Sequence, residues 1–408
     1  MPVDTRKVNL RTPEVMHQVQ ELVETHYRSR VVDYIRSAGS SLSANGLTVK
    51  LAKAFGFCYG VERAIDLAYA AAKHFPDRRI FLLGEIIHNP EVNEQLREMG
   101  VRSLSRSDHS YDVAQLTEED VVIVPAFGAE VATMRSLKEK GCVLVDTTCG
   151  DVMSVWKRVR QYSRERVTAI IHGKAWHEET LATSSRAIEE GGYGHYLVVY
   201  TLEETDSVCD YIRHGGDKEA FLKKFKGAYS PGFDPDEHLS VVGVANQTTM
   251  MRNETEEVQR RIRRAINDRY GEANEKEHFR FFDTICGATQ ERQDALKTLL
   301  EGETLNLLIV VGGYNSSNTS HLAEMGEAKL PTYFIRNASK MISPDLISHY
   351  NQHSQQEMET RGWLPVGQVT VGITAGASCP NNVIEEAITK LFKFRGVNVL
   401  DLLPASAK

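Results

Sequence analysis

The chain has 408 residues, with 48 basic against 55 acidic side chains and a formal charge of −7. At roughly 150 residues per domain this length allows two or three domains, with a core large enough to need no disulfide staples. Charged residues make up 25% and hydrophobic ones 41%, the balance of a water-soluble globular protein. The mild acidity argues against a general nucleic-acid binder, which needs a basic excess or stripe. No apolar run approaches the roughly 18 residues of a membrane span. The N-terminus has no apolar signal core, and Asp4, Glu14, Glu21 and Glu24 spoil a transit peptide, so a cytoplasmic protein is expected.

In chain order, Thr12-Pro13-Glu14 predicts a helix start, with a hydroxyl N-cap and Pro at the first helical position. Val15, Val19, Leu22 and Val23 follow at helical spacing, and a second stretch around Val31, Val32 and Ile35 ends near Gly39. Residues 40–45 read as a polar linker, so residues 1–46 are expected to form a helical N-terminal extension. From Leu47 onward, short apolar runs alternate with polar loops and amphipathic stretches. The runs are 80–83, 121–124, 143–145, 168–171, 197–200, 241–244, 281–282, 307–311 and 369–373. Buried parallel strands alternating with helices read this way, which predicts an α/β protein with mostly parallel sheets. Residues 213–238 carry Gly, Lys, Pro and Asp with little periodicity and are expected to be a surface insertion. Residues 336–363 read as a polar, partly helical connection between the last two strands.

Six cysteines contain no C-x-x-C pair, which removes the zinc-ribbon and thioredoxin readings. Three of them share one local pattern. Phe55-Gly56-Phe57-Cys58-Tyr59-Gly60, Asp146-Thr147-Thr148-Cys149-Gly150 and Asp283-Thr284-Ile285-Cys286-Gly287 each join an apolar strand to a helix through a tight turn. This is a diverged threefold repeat. A single such Cys is usually a small core residue, but independent core cysteines have no reason to share a context. A Cys at a helix start faces the positive end of the helix dipole, a position that favours thiolate. Three thiolates with an open fourth position would suit a catalytic zinc or an iron–sulfur cubane with one iron left for substrate. Cys142, Cys209 and Cys379 lack the pattern and are expected to be inert.

The polar loops at other strand ends ask for an anion. They are Ile87-His88-Asn89-Pro90, His172-Gly173-Lys174-Ala175-Trp176-His177-Glu178-Glu179, Asn246-Gln247-Thr248-Thr249, Asn315-Ser316-Ser317-Asn318-Thr319 and Thr374-Ala375-Gly376-Ala377-Ser378. Any one could be an ordinary helix cap. Five such loops point to a small phosphorylated ligand held at helix N-termini. His177-Glu178-Glu179-Thr180-Leu181 begins like the H-E-x-x-H zinc helix but lacks the second His, so a metalloprotease is not expected. A carboxylate here makes more sense as a proton donor.

At Phe57-Cys58-Tyr59-Gly60-Val61-Glu62-Arg63-Ala64, Asp146-Thr147-Thr148-Cys149, His177-Glu178-Glu179, Gln247-Thr248-Thr249, Thr284-Ile285-Cys286, Ser316-Ser317-Asn318 and Thr374-Ala375-Gly376-Ala377-Ser378 the sequence resembles the 4-hydroxy-3-methylbut-2-enyl diphosphate reductases, the terminal enzymes of the non-mevalonate isoprenoid pathway. The match runs in order from about residue 50 to 390, and the long N-terminal extension resembles the cyanobacterial and plastid branch. The resemblance implies a trefoil of three pseudo-symmetric α/β domains around a [4Fe-4S] cluster held by Cys58, Cys149 and Cys286. Its open iron would take the substrate's terminal oxygen for reductive dehydroxylation to isopentenyl and dimethylallyl diphosphate. Glu179 matches the family's proton-delivering carboxylate, with Thr248 hydrogen-bonded into the relay. His88, His177, Ser316, Ser317, Asn318 and Ser378 match contacts to the diphosphate or the proton path. Reduced ferredoxin or a similar carrier is the implied electron donor, and the N-terminal helices offer an arm for a homodimer.

The domain limits expected on this reading are 1–46 for the extension, 47–147 with Cys58, 148–284 with Cys149, 285–380 with Cys286, and a C-terminal segment 381–408 packing back on the first domain. One departure stands out. Where the family carries Ala-His-Gly with a diphosphate-binding His, this chain reads Ala126-Phe127-Gly128, and Phe127 cannot donate a hydrogen bond. Lys174 or His172, whose loop should face the same pocket, is expected to supply the lost positive charge instead. Two rival readings are a three-Cys zinc hydrolase acting on a phosphorylated metabolite and a non-catalytic phosphometabolite-binding protein.

Overall fold

The structure is a computed structural model that describes residues 10, 12–107, 110–188, 194–282 and 284–404. It divides into two compact units. The described residues of one lie within Phe75–Gly84 and Val101–Cys286, and those of the other within 10–74, Glu85–Gly100 and 287–404. No helix among the described residues is long and apolar enough to cross a membrane.

The first unit holds two four-stranded parallel sheets. In one, the order is Val101–Leu104, Ile80–Leu83, Val121–Val124 and Val143–Asp146. In the other it is Tyr196–Val199, Thr168–His172, Val242–Asn246 and Phe279–Phe281. The central strands are buried at every residue, as continuous apolar runs covered on both faces require. The second unit is built on a five-stranded sheet, Ser41–Ala44, Leu47–Leu51, Val369–Ala375, Leu307–Val311 and Thr332–Ile335, parallel except for the first pair. The α/β class with mostly parallel sheets is therefore as the strand pattern predicts.

Several local expectations are corrected. Residues 40–45 are no linker: Ser41–Ala44 pairs with Leu47–Leu51 through Asn45-Gly46, whose φ values of 45° and 75° belong to a tight hairpin turn. Leu47–Leu51 and Cys58 do not join the sheet of residues 80–146, because that strand pairs in parallel with Val369–Ala375. The C-terminal helix Asn381–Phe394 buries Val383, Ile384, Ile388 and Leu391 in the same apolar core as Val49 and Leu51 of this sheet. Residues 213–238 are not a bare surface insertion. Helix Lys218–Lys224 and the following turn bury Phe221, Phe225 and Phe233 against Leu197, Val208 and Ile212, a single apolar face too short to show a period. Residues 336–363 contain a hairpin, Leu346–Asn351 with Gln356–Arg361, whose second strand is almost wholly exposed and so shows no alternation. Thr12 sits at the helix start as expected, but its hydroxyl makes no capping bond, whereas Ser29 accepts from the Val32 amide at 2.9 Å to start the second helix.

One close contact fixes the floor beneath Cys149. Gly128 has φ +82°, and a Cβ there would lie 2.2 Å from the Trp156 ring. Trp156 is buried, donates to Thr183 Oγ1 at 3.2 Å, and carries the Arg186 guanidinium 3.9 Å above its ring. Helices Gly150–Arg164 and Glu178–Ala187 are thus locked to the 125–129 loop. Gly128→Ala combines backbone strain with overpacking and is expected to cost about 3 kcal/mol. Denaturant unfolding would measure this, and a variant as stable as the parent would show that the ring can move aside.

Candidate active site

Cys58, Cys149 and Cys286 each stand immediately before a helix: Tyr59–His74, Gly150–Arg164 and Gly287–Gly302. All three are half-exposed and in no disulfide, while Cys142, Cys209 and Cys379 are buried. Burial pushes the Cys209 thiol up to about 12 and raises those of Cys142 and Cys379 as well. The thiols therefore fall into two physical classes, and the three that share the repeated pattern are the half-exposed ones.

In the first unit, the Cys149 amide donates to the Ala126 carbonyl at 2.8 Å, and Asp146 Oδ1 accepts from the Thr148 amide and hydroxyl at 3.0 and 2.5 Å. The Cys286 thiol donates to Asp151 Oδ2 at 3.0 Å, and Asp151 lies in the first turn of the helix that Cys149 opens. Two bonds hold the Cys286 loop to the end of strand Val242–Asn246: Thr284 Oγ1 donates to Asn246 Oδ1, and Asn246 Nδ2 to the Thr284 carbonyl.

His177 caps the helix Glu178–Ala187, its Nδ1 accepting from the Glu179 amide at 3.2 Å. The proton of the neutral ring is therefore assigned to Nε2, which makes that atom a donor. Glu179 is buried at 3% exposure, and its Oε1 accepts from the Thr248 backbone amide at 2.5 Å. Glu179 thus meets Thr248 through the main chain, and not through the Thr248 hydroxyl. Gln247 braces the same loops, since its Oε1 accepts from the Lys174 amide and the Thr180 hydroxyl, both at 3.2 Å. His172 is buried and bonded through Nδ1 to Thr255 Oγ1 at 2.8 Å, which commits that face of the ring to the fold. Lys174 is half-buried, its ammonium over the rings of Trp176 and Tyr200 at 5.7 and 5.5 Å. Phe127 is buried.

In the second unit, Ser316 caps the helix Ser317–Glu327, and Ser316, Ser317 and Asn318 are all buried at its N-terminus. Asn318 Oδ1 accepts from the Ala377 amide at 2.8 Å, while its Nδ2 is buried without a partner among the described residues. That donor is aligned with the needs of an anion, because an unmet buried N–H is costly until an acceptor arrives. The Ala377 carbonyl accepts from the Cys58 amide at 3.2 Å, and Ser378 Oγ donates to the His88 carbonyl at 3.2 Å. Cys58, His88, Asn318 and Ser378 thus belong to one bonded network.

Three supporting residues escaped sequence reasoning. Glu85 accepts from His88 Nδ1 at 3.1 Å and from Asn315 Nδ2 at 2.8 Å. Burial alone would raise the Glu85 pKa, but the bond and charge of His88 and the bond from Asn315 outweigh it and leave it lowered. Arg292, buried, donates to the carbonyls of Gly56 and Phe57 and braces the Cys58 loop. Asp151 meets Cys286. Only the Glu85–His88 spacing was a usable signal; the other two pairs are far apart in the chain.

The family model described as LytB protein matches residues 49–392. The 4-hydroxy-3-methylbut-2-enyl diphosphate reductase of Gloeobacter violaceus is 49% identical over 385 residues, covering 93% of this chain and 91% of that one. The enzyme of the same name from Thermosynechococcus vestitus is 48% identical over 381 residues, with 93% of each chain covered. Among solved structures, one of (E)-4-hydroxy-3-methyl-but-2-enyl diphosphate reductase superposes with a TM-score of 0.51 at 26% identity, covering 85% of this chain and 99% of the other. The Plasmodium falciparum reductase structure shares the fold, with a TM-score of 0.61 at 20% identity over 85% of this chain and 89% of that one. The chain belongs to the LytB family of 4-hydroxy-3-methylbut-2-enyl diphosphate reductases, which are iron–sulfur oxidoreductases.

Proposed function

We propose that this chain converts 4-hydroxy-3-methylbut-2-enyl diphosphate to isopentenyl and dimethylallyl diphosphate, with Cys58, Cys149 and Cys286 as the ligands of a [4Fe-4S] cluster. The observation that carries the ligand assignment is the division of six thiols into three half-exposed ones at helix starts and three buried ones. Soft thiolates suit iron–sulfur clusters, and three of them leave one iron of four without a protein ligand. When bound, the cluster would supply electrons one at a time and a Lewis-acidic iron. The zinc-hydrolase alternative has no support among the relatives.

The overall change breaks one C–O bond, forms one C–H bond and releases water, consuming two electrons and two protons. Glu179 is the residue proposed to deliver the proton that turns the leaving hydroxyl into water. The Thr248 amide and the His177 cap hold its helix end in place. Ser316, Ser317, the orphan Nδ2 of Asn318, Ser378, His88 and His177 are the proposed diphosphate donors. Lys174 is proposed to stand in for the family's diphosphate-binding His, whose place Phe127 takes, since the Nδ1 side of His172 is taken up by Thr255.

Three outcomes test this reading. Serine at Cys58, Cys149 or Cys286 should strip most iron and labile sulfide and abolish turnover, whereas Cys142→Ala and Cys209→Ala should keep both. Full iron retention in Cys149→Ser would refute the ligand set. Glu179→Gln should keep the brown colour and substrate affinity yet lose about 100-fold or more in kcat, the usual worth of a positioned proton donor. Near-normal turnover would move that role elsewhere. Glu85→Gln and Lys174→Ala should each raise the substrate KM by about tenfold with kcat little changed, because both act on ground-state anion binding. An unchanged KM would remove them from the binding set.

A further inference from the structure

Within the first unit, a cavity of about 310 Å³ opens between helices Val131–Glu139, Gly150–Arg164 and Glu178–Ala187. Its walls carry Arg135, Lys138, Arg160 and Arg186 against a single carboxylate, Asp146. This excess of cations stands on a chain whose net charge is −7. An acidic macromolecule is repelled by the chain as a whole and attracted here, which is the condition for steering it to one place.

The groove also borders Cys149. Thr148, part of its lining, is joined to Cys149 by a peptide bond. Trp156, another lining residue, packs in the same apolar cluster as Cys149. The groove therefore lies against the turn that carries the Cys149 thiol. Arg186 is committed to the fold by its bond to the Ala129 carbonyl at 2.9 Å and its stacking on Trp156. Arg135 and Lys138 are different: exposed, three residues apart on one helical face, and without an ion pair among the described residues. Of the groove's cations only Arg186 is buried; a small phosphate needs several buried donors closing around it, whereas exposed cations on a rim suit a protein surface.

We propose that this cationic groove is the docking site for the electron donor, a small acidic one-electron carrier protein. The proposal rests on the reading of Cys149 as a cluster ligand. Each turnover needs two electrons, so two reduced carriers must dock, each being oxidised by one electron, and departure must be fast. Rim charges that raise the association rate without deep burial suit that requirement.

The test uses the holoenzyme, a plant-type [2Fe-2S] ferredoxin as probe, and the double charge reversal R135E/K138E, with K329E as an exposed control outside the groove. The double variant should weaken ferredoxin binding, measured by calorimetry at low ionic strength, and raise the ferredoxin KM, each by about tenfold or more, and should flatten the salt dependence of both. Its dithionite-driven turnover and its substrate KM should match the parent, and K329E should change nothing. Unaltered ferredoxin binding in the double variant overturns the proposal, as does a groove that binds inorganic pyrophosphate, with loss on charge reversal, while ferredoxin binding stays the same. Absence of dithionite-driven turnover in the parent would instead strike the functional reading, and the binding arm would still judge the groove.

Discussion

A thiol serves as a ligand only where the backbone beneath it is held, and at each of the three repeated junctions the holding groups can be named. The Cys149 amide is tied to Ala126 and the Cys58 amide to Ala377. Cys286 is held by the Asn246–Thr284 bonds two residues before it and by its own contact with Asp151. Each cysteine also ends a loop at the point where helical geometry begins, so its position inherits the rigidity of a helix N-terminus. The polar residues around them follow from the same arrangement: strand ends deliver loops, and loops end as helix caps.

The two units divide the proposed chemistry unevenly. One carries the acid, Glu179, buried and gripped by a backbone amide whose donor does not depend on the Thr248 side chain. The other carries the serine and asparagine donors at the start of helix Ser317–Glu327, together with an unmet N–H. Proton delivery needs a carboxyl with little freedom, and anion binding needs donors that lose little on meeting a ligand. Burial supplies the first condition and a capped helix end the second.

Phe127, where the resemblance leads one to expect a histidine, has a packing role of its own. Phe127 lies buried beside Gly128, where the Trp156 ring excludes even a methyl group. This loop has become a packing element that supports the Cys149 helix. Lys174, the proposed substitute, is held over two aromatic rings and is therefore restricted in its reach.

Much of this was written in local sequence. The apolar runs gave away the buried parallel strands, and the repeated strand–turn–Cys–helix pattern sorted the cysteines, because both depend on a few neighbouring residues. The hairpin at Asn45-Gly46 was equally local, though its turn passes easily for a polar linker. Other features had no local signature. Leu47–Leu51 looks like the opening of the domain that follows it, and only its pairing with Val369–Ala375 assigns it elsewhere. Glu85 bonded to His88, Arg292 bonded to Gly56 and Phe57, and the Asn318 donor without a partner among the described residues are outcomes of packing. Periodicity and turn chemistry determine which residues form strands, helices and caps. Which distant residues then share a hydrogen bond or a charge is decided by long-range strand order, which no short window of sequence contains.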